Sequence, residues 1–311
     1  MSSETSSDKA DLHTAAGRQF GAWVLRIWRP YGFRARVGLL AAAIACVAVF
    51  GFVLNRMQTP RILGFDGSLL NQNSAGESVI VLLVTAVLLV VCVMLGTAIA
   101  GAIRFEAGLF AGCIGLAIFS LRSGTMQSVL FEAGGSAHIY WKLMVELLCL
   151  AAVELAIWNL LIMVSQPATS AGHSSTESAA KPGSGASPGW PMGLAATGVQ
   201  MISTAVFLSI FCQAATKNQA MAAVLIGSLL GTMLAYLLAP VRQSVWYWIG
   251  PLLVGLIGYG LAATGFDRNL AIGTPTGTWA AIAMPLPVDY ASMGTAGAIL
   301  GFWFLSKSAE E

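Results

Sequence analysis

Polar and apolar positions in this chain are sorted into long blocks. Runs of about 20 apolar residues, the length a helix needs to cross the hydrocarbon core of a bilayer, are parted by short polar stretches. Eight runs are predicted as spans: 37–55, 78–100, 105–122, 142–164, 192–213, 219–239, 245–264 and 286–305. The third has the shortest strictly apolar part. The expected fold class is an all-α integral membrane protein, a polytopic helical bundle of about eight transmembrane helices.

Three segments break the pattern. Residues 1–15 are polar and partly acidic, expected as a disordered tail; the basic-then-apolar order of a cleaved signal peptide is lacking, so the first span is expected to be retained. In residues 16–36, Phe20, Trp23, Val24, Ile27 and Trp28 recur at helical spacing, with Arg18, Arg26 and Arg29 largely off that stripe. This predicts a basic amphipathic helix lying in the interface, its partners the bilayer and anionic lipid headgroups, ended by Pro30. A docking helix for a cytoplasmic partner is the alternative. In placement it resembles the elbow helices of ABC exporter permeases, a likeness of architecture without a shared motif that implies no activity. Residues 165–190 are rich in Ser, Gly, Ala and Pro, with almost nothing to bury. They predict a flexible linker between two membrane halves of four spans each, 37–164 and 191–306.

The halves hint at repetition. The second–third and fifth–sixth runs each form an apolar helix, a charged or polar turn (Arg104-Phe105-Glu106; Lys217-Asn218-Gln219) and a Gly/Ala-rich helix. Gln-Ser-Val then stands at 127–129 and again at 243–245. The odd number of intervening spans would make such repeats inverted, as in many transporters.

Composition agrees with the membrane class: 10% of the 311 residues are charged and 57% are hydrophobic, against roughly 25% charged in soluble domains. A formal net charge of +2 gives no general basic field for nucleic acid. Arg18, Arg26, Arg29, Arg34 and Arg36 all precede the first run, so the positive-inside rule places both termini in the cytoplasm, in a plasma or inner membrane. Cys46, Cys92, Cys113, Cys149 and Cys212 lie in or at the ends of apolar runs, form no CxxC pair, and read as small packing residues.

Candidate chemistry is sparse. Arg104 and Glu106 flank a Phe where a stretch too long for one span must turn; they read as turn residues, Glu106 in the first turn of a helix and Arg104 reaching the headgroups, or else as an inner gate. GxxxG pairs at Gly108/Gly112, Gly227/Gly231 and Gly297/Gly301 predict close helix packing, within the chain rather than between copies. Glu154 stands about 16–18 Å along its run, near the bilayer centre, where an ionised carboxylate is costly. It is expected to be protonated or to face a polar cavity. Glu146, two turns earlier and about 80° round the helix, and Asn159, towards the inner end, would complete a polar ladder. Asp289 follows Pro287 and reads as a first-turn acid of the last span. If that span began at Thr278, Asp289 would instead sit mid-membrane behind a Pro-broken half-helix.

No HExxH, P-loop or G-x-S-x-G motif occurs, and the three histidines are scattered. No metal, haem or other cofactor is expected, and enzymatic activity is not the leading reading. The expected function is transporter- or permease-like, moving a small solute or ion along a path lined by Glu154 and Asp289. The alternatives are a scaffold held to partner membrane subunits or a second copy, and a lipid-modifying enzyme using Arg122, Glu132 and His138.

Overall fold

Long apolar runs bounded by polar turns become helices because lipid offers the backbone no other hydrogen-bond partner. The computed structural model describes residues 33–56, 75–100, 106–132, 138–165, 190–214, 216–264 and 278–306. The tail, nearly all of the predicted interfacial helix, most of the linker, and Arg104 lie outside the described residues.

The chain order is α1 (Phe33–Arg56), α2 (Ala75–Ala100), α3 (Ala107–Arg122), α4 (Met126–Glu132), α5 (His138–Ser165), α6 (Trp190–Phe211), α7 (Lys217–Leu238), α8 (Val245–Ala263) and α9 (Thr278–Ala283). A last helix is continuous but of mixed winding: α10 (Pro287–Asp289), a π-helical segment (Tyr290–Gly294) and α11 (Thr295–Ser306). Among the described residues there is no strand, so the class is all-α. Among the described residues five stretches are long and apolar enough to cross a membrane: Val81–Ala100, His138–Met163, Trp190–Phe211, Lys217–Leu238 and Val245–Ala263. The apolar parts of α1 and α3 are shorter. The short helix α4 has no counterpart among the sequence expectations.

The outer surface carries Leu40, Ile44, Val87, Val91, Leu148, Ile202 and Leu237, all exposed. Several polar side chains lie inside, among them Glu106, Glu146, Glu154, Gln200, Thr232, Asp289 and Thr295. With the helices apolar nearly all round, burial here sorts residues by size and polarity more than by hydrophobicity.

Packing does not follow the order of the chain. Helices α1, α2 and α3 pack on one another; α5 packs chiefly on α8, and α6, α7 and α8 form a second group. The last helix joins them, touching α3, α5, α7 and α8. It runs antiparallel to α3, since Ser120 meets Asp289 and Glu106 meets Trp303. It runs parallel to α7: Lys217 meets Asp289, and Gly297 and Gly301 lie against the Leu225 and Leu229 carbonyls.

Each GxxxG pair faces a neighbour within the chain. Gly108 and Gly112 abut Val93 of α2, and Gly231 abuts Thr204 of α6. Gly227 is looser: a Cβ there would lie 3.5 Å from the nearest atom, ordinary contact.

Candidate functional site

The site is built around the last helix, and its geometry starts with two prolines. Residues before a proline are pushed out of the α region. Leu286, before Pro287, is extended at φ −77, ψ 162, and the chain breaks between α9 and α10. Two tyrosines take up carbonyls near this break. Tyr290 donates its hydroxyl to the Ile282 carbonyl at 2.6 Å, and Tyr259 of α8 donates to the Pro285 carbonyl. The helix resumes at Pro287, whose missing N–H costs nothing in a first turn.

Asp289 closes that turn, accepting the Leu286 N–H on Oδ2 at 2.8 Å. Its Oδ1 accepts from Lys217 Nζ at 2.6 Å and from Ser120 Oγ. The first-turn placement agrees with the sequence expectation; the burial and the ion pair go beyond it. Lys217, read from sequence as one residue of a polar turn, brings the start of α7 to the start of the last helix.

The π-helical segment follows at once. Such segments hold an extra residue per turn and occur often at functional positions. Gly294, its last residue, lies against Pro251 inside α8: a Cβ would come 2.9 Å from the proline Cβ. Ser292 donates back to the Val288 carbonyl at 2.6 Å.

Immediately beyond, Thr295 donates its hydroxyl to Glu154 Oε2 at 2.8 Å. Glu154 is completely buried, so it faces protein and not lipid. Its other oxygen, Oε1, has no hydrogen-bond partner among the described residues. It stands about 16 Å from the C-terminal end of α5, deep in the helix by the ordinary rise per residue. Glu146 is also completely buried, on the inward side of α5. Tyr259 lies within electrostatic range of Glu146, Tyr140, Tyr290 and Asp289, so the buried acids at 146 and 289 share one neighbourhood.

Asn159 does not belong to this ladder. It is exposed and donates to the Leu155 carbonyl of its own helix at 2.8 Å. The reason is angular: five residues beyond Glu154 is about 140° round the helix, on the outward side.

Glu106 also differs from its expected setting. It precedes α3 as its N-cap residue, yet its side chain is buried and accepts from Trp303 Nε1 at 2.6 Å. Expected as a first-turn acid favoured by the helix dipole, it stands one residue before the helix, and the C-terminal part of the last helix covers it. Phe110 packs beside the same indole, ring centroids 5.3 Å apart.

Along the last helix, therefore, Asp289, Thr295 and Trp303 engage an ion pair, a mid-helix carboxyl group and a second carboxyl group. Gln200 had no place in the sequence reading. It is fully buried on α6, donates to Thr204 Oγ1 at 3.1 Å, and sends Oε1 to the backbone of Gly250, where a Cβ would stand 1.5 Å from it. Arg122 and His138, candidates for headgroup chemistry, are both exposed, and the Glu132 side chain lies outside the described residues. Among the described residues no cluster of His, Cys, Asp or Glu is suited to a metal ion.

Comparison with known proteins gives no match: no family model matches the chain, and no curated protein or solved structure is significantly similar to it.

Proposed function

We propose that the protein is a transporter- or permease-like membrane protein whose path for a small ion or solute passes Glu154. One observation carries this reading. A carboxyl group deep in a membrane helix is fully buried, and one of its oxygens has no partner among the described residues. Placing a carboxylic acid in such a site costs free energy that a leucine would not, and that pattern marks proton and ion relays. Its contact with Thr295 follows directly on a π-helical segment behind a proline break, the discontinuous backbone on which transporter sites are built.

In this proposal eight spans cross the bilayer: the five long helices, the shorter α1 and α3, and the last helix. Residues 287–306 would reach about 30 Å, enough to cross. The basic segment before α1 lies on anionic headgroups, with both termini in the cytoplasm. Helices α3 and α7 each follow a partner in a hairpin and run in opposite directions beside the last helix, which supports the inverted-repeat reading.

The scaffold reading is favoured by a different fact, that Thr295 already holds Glu154 Oε2. Accessibility separates the two. Glu154→Cys, in a background without the five native cysteines, should react with a small thiol reagent in folded proteoliposomes, faster under an imposed ion gradient. Complete inertness of the folded protein would reject the transport reading and leave the scaffold.

A further inference from the structure

The Lys217–Asp289 pair is set up in an uneven way. Asp289 is 1% exposed and Lys217 12%, so the lysine is the member that reaches the surface. Its neighbours Thr216 and Asn218 are exposed. The two residues also sit differently with respect to the helix dipoles. Asp289, in the first turn of its helix, is stabilised by the dipole's positive end. Lys217, the first residue of α7, is a cation at a positive end, where the dipole opposes it. Asp289 is thus held in place by its own backbone, through the Leu286 N–H and the turn it closes, while Lys217 is held chiefly by Asp289.

The ammonium meets a carboxylate oxygen that a second polar side chain also reaches. Asp289 Oδ1 supplies the charge and Ser120 Oγ stands beside it on the same oxygen. Tyr259 and Cys212 are within electrostatic range of Asp289, and neither is a cation.

We propose that Asp289, with Ser120 beside it, forms a monovalent-cation site occupied in this state by the chain's own Lys217 ammonium, and that an incoming cation binds by displacing Lys217 towards the headgroup layer. The charge argues for a monovalent ion. Exchange of one positive charge for another leaves the buried pair neutral, whereas a divalent ion would leave an uncompensated charge in a medium that penalises it heavily. Divalent ions also prefer several carboxylate and carbonyl oxygens, and one carboxylate falls short of that. Lys217 has a long flexible stem and no fork of donors to fix it, so it can swing out. From Asp289 the next side-chain contact with an acid along the last helix is Thr295 with Glu154, about 9 Å on by the ordinary rise. The site therefore stands as the entry position to the proposed path, although it holds whether or not Glu154 itself carries ions.

Acylation of lysine reports the exchange without any need for flux. The purified full-length protein in detergent is treated with an amine-acylating reagent at fixed pH and ionic strength, in sodium, potassium or N-methyl-D-glucamine chloride, and labelling at each lysine is read by mass spectrometry. Labelling of Lys217 should rise several-fold in at least one alkali salt over the bulky organic cation, while exposed Lys142 labels equally in all. Asp289→Asn should label fast at Lys217 in every salt. Separately, Lys217→Ala should gain more thermal stability from alkali salt than wild type does, since no ammonium competes for the site. Equal labelling of wild-type Lys217 in all salts overturns the proposal, including in the case where Lys217→Ala gives no folded protein. A Lys217→Ala protein that folds and is indifferent to alkali salt overturns it as well.

Discussion

Gly297→Ala tests the packing that holds the last helix in the bundle. A Cβ at 297 would lie 2.3 Å from the Leu225 carbonyl oxygen and 3.1 Å from its carbon, where ordinary contact begins at 3.4 Å. The obstacle is the backbone of α7, which cannot rotate away as a side chain can. The last helix must therefore retreat by about 1 Å, a gap that forfeits between a quarter and a half of each dispersion contact along the seam. Overpacking of this kind costs about 1–3 kcal/mol, and an immovable carbonyl argues for the upper end. Alanine's better helix propensity returns roughly 0.5–1 kcal/mol. A net loss of about 2 kcal/mol corresponds to a fall of about 3 °C in Tm at the usual unfolding entropy per residue for a chain of 311 residues. Thermal unfolding of the detergent-purified protein, followed by tryptophan fluorescence, measures it. Gly51→Ala and Gly260→Ala are the controls, since a Cβ at either meets nothing within 4 Å; both should match wild type or exceed it. Gly227→Ala, with ordinary contact at 3.5 Å, should be nearly neutral despite belonging to a GxxxG pair. If Gly297→Ala unfolds with wild type, or at no lower temperature than Gly227→Ala, the parallel packing of the last helix on α7 is wrong.

Further outcomes follow from other contacts. Trp303→Phe keeps the ring but removes the donor to Glu106 Oε2; leaving that buried oxygen without it should cost about 1–3 kcal/mol, read in the same unfolding assay, and no loss would remove the contact from the account. Shortening the 166–189 segment to about ten residues should leave folded yield and Tm nearly unchanged, because loop closure depends only weakly on length; a collapse in yield would show that the segment packs. In a cysteine-free background, a cysteine at Ser175 should be protected from an impermeant thiol reagent in intact cells and one at Ser68 labelled, and the reverse result would invert the orientation.

The helices were legible because a run of apolar residues long enough to cross a bilayer has few other uses. The run predicted at 245–264 is the helix Val245–Ala263, and 78–100 lies within Ala75–Ala100. What meets what was not legible. Glu106 and Trp303 are 197 residues apart, Ser120 and Asp289 169, and Glu154 and Thr295 141. Helices apolar on all sides carry little periodic signal to say which face turns inward, so these pairings are invisible in the pattern. Lys217 reads in the sequence only as part of a polar turn, and a turn explains a lysine without a partner. The GxxxG spacing treats Gly227 and Gly231 alike, yet only the position of α6 decides that Gly231 is crowded, with a Cβ 2.4 Å from Thr204 Oγ1, and Gly227 is not. Asn159 is a different case: its angular offset from Glu154 was available in the sequence and excludes it from the ladder.

The central claim, that Glu154 lies on a transport path, is tested most directly by flux. Wild type and Glu154→Gln are reconstituted at equal density in sealed vesicles, and the decay of imposed proton, sodium and potassium gradients is followed with trapped indicator dyes. Glutamine keeps the size of the side chain and can still accept from Thr295 Oγ1, but it cannot ionise. The account predicts that both proteins unfold at nearly the same temperature, that wild type dissipates at least one gradient, and that Glu154→Gln does not. Flux retained by Glu154→Gln with an unchanged pH dependence, or no flux from wild type under any of the gradients, would contradict it.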